Sequence, residues 1–143
     1  MAARSYALAA TYQSAIRTHG GTILTNLTSN PGSTNAQVQS STGLAQVIVD
    51  QVLAYGVKAG VFVARANFSG VVRYWSAATW ASRITTYLGT ARTWGDALGS
   101  SVGSETALAA ALVTAGLASA ESEAVAIVLM NALINESNGE VVG

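Results

Sequence analysis

A chain of 143 residues, half of them apolar, is long enough to bury a core as one ordinary domain. It contains no cysteine, which excludes disulfides and thiolate metal sites and leaves the redox compartment open. Charged residues make up only 10% of it, well below the roughly 25% usual for soluble domains, so other subunits are expected to cover much of its surface.

The first predicted element is a helix over residues 4–18, with Leu8, Tyr12 and Ala15 on one side and a stop at Gly20-Gly21. The opening "MAARSYALAATYQSAIR" has only a short apolar run, broken by Thr11, Gln13 and Arg17, which argues against a secretory signal. Residues 22–43 are rich in Ser, Thr, Asn, Gln and Gly and hold Pro31, the only proline. They read as a long polar linker with a short turn at "TILTNL". From Leu44 to Tyr55, the positions Leu44, Val47, Ile48, Val52 and Tyr55 recur at helical spacing, and Gly56 is the expected stop. "VFV" at 61–63 suits a short strand as well as a helix.

Residues 71–88 read as a helix whose apolar stripe is Tyr74, Ala77, Ala78, Ala81, Ile84, Thr85 and Leu88, ended by Gly89. Its opposite face carries Arg73, Ser76, Trp80, Arg83 and Tyr87. The last third gives two more helices. Ser104 caps the first, with Leu108, Ala111, Leu112 and Ala115 inward and Gly116 at its end. Ser119 caps the second, with Glu121 and Glu123 in its first turn, favourable against the helix dipole. So short a connection predicts an antiparallel pair. The expected fold is all-α: an amino-terminal helical arm and linker over 1–43, then a helical core over 44–143. No membrane span is expected, because Asp50 and Lys58 break one long apolar run and Glu121 and Glu123 the other.

Little in the sequence supports catalysis. His19 is the sole histidine, and neither a G-x-S-x-G elbow nor a nucleophilic cysteine accompanies it, so it reads as a solvent-exposed or backbone-bonded residue. Glu121 and Glu123 stand about 200° apart on a helix and do not converge. "GVKAG" at 56–60 lacks the G-K-[ST] end of a phosphate loop. One histidine with scattered acids is no metal site. Sequons occur at Asn26, Asn67 and Asn135, as chance allows in Ser/Thr-rich sequence. No enzyme, cofactor or metal is expected.

The charges are unevenly placed. All seven cations, Arg4, Arg17, Lys58, Arg65, Arg73, Arg83 and Arg92, lie in the first 92 residues with Asp50 as the only acid, a net of +6. From Thr93 onward there are six acids and no Lys or Arg, a net of −6. Such a partition fits a polyanion-binding part joined to a part that is not, or two halves that attract each other within or between subunits. Six of the seven cations are arginine, whose planar fork suits phosphate oxygens and aromatic faces. On one uninterrupted helix Arg65 and Arg83 would share a meridian about 27 Å apart, a spacing for tracking a backbone rather than reading a base step. Trp75 and Trp80 are expected as core or subunit-interface aromatics that the arginines border.

The order of these features resembles the major coat proteins of rod-shaped and filamentous archaeal viruses. The residues that carry the likeness are the basic, alanine-rich first helix, "TILTN" at 22–26, the polar linker with Asn-Pro, "QVIVDQVLAYG" at 46–56, the arginine-aromatic helix and the apolar final pair. The resemblance implies an all-helical subunit whose dimers wrap double-stranded DNA, hold it in the A form and stack into a helical filament, the virion. It implies phosphate contacts at Arg4, Arg17, Lys58, Arg65, Arg73 and Arg83, to which the charge map adds Arg92. Fewer cations stand near the start than the likeness implies, which leaves an identical or a paralogous chain as the dimer partner. A membrane envelope is not indicated. A self-assembling fibre or shell without nucleic acid is the alternative.

Overall fold

The computed structural model describes residues 10–99 and 103–137. The protein is mostly helical with one small two-stranded sheet. Among the described residues the elements run α1 (Ala10–Ser29), α2 (Asn35–Thr42), α3 (Gln46–Lys58), β1 (Phe62–Ala66), β2 (Val72–Ser76), α4 (Ala77–Leu98), α5 (Glu105–Thr114) and α6 (Ser119–Ser137). They form two compact units, one comprising the described part of Met1–Ala64 with Arg73–Ala77, the other Arg65–Val72 with the described part of Ala78–Gly143.

In the first unit α1, α2 and α3 pack on one another, so residue 43 is not a boundary between compact units. The expected stop at Gly20-Gly21 does not occur, and α1 runs through both glycines to Ser29. Each mid-helix glycine costs about 1 kcal/mol relative to alanine. Continuing the helix puts Ile23 and Leu27 on the stripe begun by Ala15 and buries both completely, worth about 1.5–3 kcal/mol each. Burial wins. The predicted linker is therefore mostly structured: it holds the end of α1, a turn at Pro31 and Gly32, and α2. A capping box starts α2, in which Gln37 N–H donates to the Thr34 hydroxyl and Thr34 N–H donates to Gln37 Oε1. Gly43, at φ +72°, ends it in the left-handed conformation.

α3 also passes its expected stop. Gly56 lies inside the helix, and a Cβ there would collide with the ring of Phe62, so glycine serves close approach rather than termination. Val49, Val52, Leu53 and Phe62 complete this unit's core with Ile23, Leu27 and Val38, and Tyr74 packs against it.

The expected helix over 71–88 is half wrong, since residues 72–76 form a strand. Asn67 N–H donates to Val71 C=O and Ala77 N–H to Val61 C=O, which fixes an antiparallel hairpin. Its loop is held by Asn67 Oδ1, which accepts from the Ser69 and Val71 N–H groups, and by Gly70 at φ +83°. "VFVARA" thus takes its strand option because "VVRYWS" is there to pair with it.

In the second unit α4 runs through Gly89 to Leu98, and its orientation departs from the expectation in part. Trp80 and Ala91 are buried, Arg83, Tyr87 and Trp94 are half-buried, and so are Ala77, Ile84 and Leu88 of the expected stripe, whereas Ala78, Ala81 and Thr85 are exposed. Two large rings bury more apolar area than a stripe of alanines, so the inward side is turned toward the aromatics while Ile84 and Leu88 stay at its border. Leu108 and Leu112 of α5 and Val125 and Leu129 of α6 are fully buried, and the two helices pack together. Ser104 caps α5 as expected, accepting from Ala107 N–H. Ser119 instead is the first residue of α6, and the Ala118 carbonyl accepts from Glu121 and Ser122 N–H.

Candidate nucleic-acid interface

The seven predicted contact residues do not form one set. Arg4 lies outside the described residues. In the first unit Arg17 is exposed on α1, and Lys58 is exposed in the last turn of α3, where the helix dipole favours a cation. Arg73, on β2, is half-buried, and its Nη1 donates to the Gly32 carbonyl at 2.8 Å. The single acid of the leading segment, Asp50, accepts from Asn35 Nδ2 at 2.7 Å, and Gln39 Nε2 donates in turn to Asn35 Oδ1. Burial raises the Tyr74 phenol above its ordinary pKa, and the nearby Asp50 charge adds to this.

In the second unit Arg65 is exposed on β1, with its guanidinium carbon 5.7 Å from the centre of the Trp80 ring. That is cation–π range, and it pre-orders the side chain. Arg65 and Arg83 share no helix, so the expected common meridian does not exist.

Arg83 and Arg92 are engaged by carboxylates. Arg83 Nε donates to Glu121 Oε1 at 2.9 Å, and the Glu121 side chain is only 3% exposed. Arg92 Nε donates to both carboxylate oxygens of Glu136, at 2.9 and 3.2 Å, and its Nη2 also reaches Oε1. Hydrogen bonds from Arg92 hold the Glu136 carboxyl below its usual pKa, and the same bonds raise that of Arg92. Sequence reasoning left open that the two halves attract each other but named neither pair. One signal for them was present: a trailing third with six acids and no cation needs cations from elsewhere.

Among the described residues no carboxylate stands at ion-pair distance from Arg17, Lys58, Arg65 or Arg73. Those four are the cations whose geometry leaves charge for an outside anion. Trp75 is fully buried and Trp80 nearly so, as core aromatics should be. Of the minor candidates, His19 sits half-buried inside α1, and "GVKAG" is the last turn and exit of α3. Among the described residues no His/Asp/Glu group could hold a metal ion, and no helix is long and apolar enough to cross a membrane. Comparison with protein-family models, curated proteins and solved structures finds no match.

Proposed function

We propose that this chain is a structural virion coat subunit. It dimerises with an identical or paralogous chain, wraps double-stranded DNA through backbone contacts without sequence preference, and polymerises into a helical filament. In this reading the helical body ends in an antiparallel α5–α6 pair, and no catalysis takes place.

The observation that carries the reading is how the charges are used. The trailing carboxylates take up Arg83 and Arg92, while Arg17, Lys58 and Arg65 stay exposed without an acidic partner among the described residues. Among the described residues the proposed phosphate contacts therefore narrow to Arg17, Lys58, Arg65 and Arg73, and Arg4 is kept beside them. Arg83 and Arg92 act in the subunit itself. Exposed Val47, Val57, Val61, Phe68, Val71, Val72 and Ile134 on a chain so poor in charge support burial by neighbouring subunits. A coat also tolerates weak contacts per subunit, because many act in series along one duplex.

Electron microscopy of the native assembly, with absorbance at 260 and 280 nm, tests the reading. A filament with internal density and a nucleic-acid absorbance ratio is the expected result. The two ion pairs favour a second reading, a self-assembling fibre or shell without nucleic acid in which basic and acidic surfaces meet. An empty filament with the absorbance ratio of pure protein would establish it in place of the first.

A further inference from the structure

In the first unit α3 is apolar on two sides. Val49, Val52, Leu53 and Gly56 are buried. On the other side Val47, Asp50, Ala54 and Val57 recur at i, i+3, i+7 and i+10, the spacing of a seam between paired helices, and all four are exposed. Val47, at 60%, is the most exposed large apolar side chain among the described residues, and Val57 is 38% exposed. A helix that is apolar nearly all round is normally enclosed. Ala54, small and midway along the seam, leaves room for a second helix to approach closely.

Two charges flank the seam symmetrically. Asp50 and Lys58 stand on either side of Ala54, each four residues away or about 6 Å along the axis, and both are exposed. Neither makes an ion pair among the described residues. In water neither needs one, so the charges do not drive association. Their placement sets the orientation of whatever packs on the apolar seam.

We infer that this seam receives α3 of a second copy of the chain, antiparallel, about a two-fold axis at Ala54. Such an axis brings Asp50 of each copy to the level of Lys58 of the other, so one arrangement closes both charge contacts. A parallel pair would set Asp50 beside Asp50 and Lys58 beside Lys58, which repel. Asp50 is the only acid in the first 92 residues, so no other contact between the leading parts of two copies can pair opposite charges. One helix face is smaller than a standard stable interface, so the contact is weak and concentration-dependent, which subunits acting in series tolerate. The inference rests on the dimerisation in the proposed function. It commits to an identical chain as the partner and gives Lys58 a carboxylate in place of a phosphate.

Sedimentation equilibrium of the full-length protein, with circular dichroism to check that each variant folds, tests it. Wild type is expected to dimerise. Asp50→Lys and Lys58→Asp should each weaken the dimer by about tenfold or more, because two like-charge contacts replace two attractive ones. An equimolar mixture of the two variants should restore it, since one copy then presents two cations and the other two carboxylates. The chain has no cysteine, so Ala54→Cys gives a second readout: mild oxidation should yield a disulfide-linked homodimer. Folded single variants that dimerise as wild type does, or a mixture no stronger than its components, overturn the inference and leave the coat reading standing. Should a charge variant fail to fold, Ala54→Cys decides, and absence of the linked dimer in self-associating protein overturns the inference. A DNA-free filament whose association is still restored by mixing overturns the coat reading and leaves the inference standing. A wild-type chain that sediments as a monomer at every concentration overturns both.

Discussion

Arg83, on α4, donates from Nε to the carboxylate of Glu121 in the first turn of α6, and Glu121 is almost wholly enclosed. A buried carboxylate that loses its charged partner is costly, so the arginine is structural. Removing one member of a buried pair costs about 3–5 kcal/mol, and the 32% exposure of the Arg83 side chain brings the effect below that range. Arg83→Ala should therefore destabilise the protein by about 2–3 kcal/mol. The double change Arg83→Met with Glu121→Leu should recover most of that loss, as measured by urea denaturation of all three proteins.

Glycine should act oppositely at two places. Nothing lies within 4 Å of a Cβ at Gly20, so Gly20→Ala should stabilise α1 by about 1 kcal/mol. Gly56→Ala drives a methyl into the Phe62 ring, and overpacking of this kind costs about 1–3 kcal/mol. Thermal melting of the two variants beside wild type checks both signs.

These glycines also show where sequence reading stops. A Gly-Gly pair in a polar run looks like a break. Only tertiary burial of Ile23 and Leu27, eight and twelve residues beyond Ala15, reveals that the helix continues. The α2 capping box at Thr34 and Gln37 is written in the sequence but lies inside a stretch whose composition reads as linker. In α4 the period is readable and the side only in part, because alanines and large aromatics each make a plausible buried stripe and ring area turns the helix toward Trp80 while Ile84 and Leu88 stay half-buried. The last two helices, with Ser104 and the buried leucines, needed no tertiary information to be found. For the candidate site, the charge partition was plain in the sequence. Which arginines are neutralised depends on pairs 38 and 44 residues apart.

The Arg92–Glu136 pair should show in the acid limb of stability. Arg92 depresses the folded-state pKa of Glu136, so the contribution is present above the unfolded carboxyl pKa of about 4.3 and is lost as pH falls through the lower folded value. Both side chains are partly exposed, so the effect is small. Wild type should melt slightly above Arg92→Gln at pH 7, and the gap should close near pH 2.

Tyr74 should govern part of the alkaline limb. Its folded pKa is raised, first by burial and then by Asp50. The stability it contributes is therefore complete below the unfolded phenol pKa of about 10 and is lost as pH rises through the folded value. Melting followed from pH 8 to 11.5 should fall more steeply for wild type than for Tyr74→Phe.

The central claim is that exposed cations of the leading two-thirds meet a polyanionic duplex. Titration of random-sequence duplex DNA at several salt concentrations tests it most directly. Each phosphate contact contributes about −0.9 to the slope of log K against log salt. The account predicts a steeply negative slope for wild type, a shallower one by about that amount for Arg65→Ala, and no change for Arg92→Ala. Binding indifferent to salt, or a slope that Arg92→Ala reduces and Arg65→Ala does not, would contradict it.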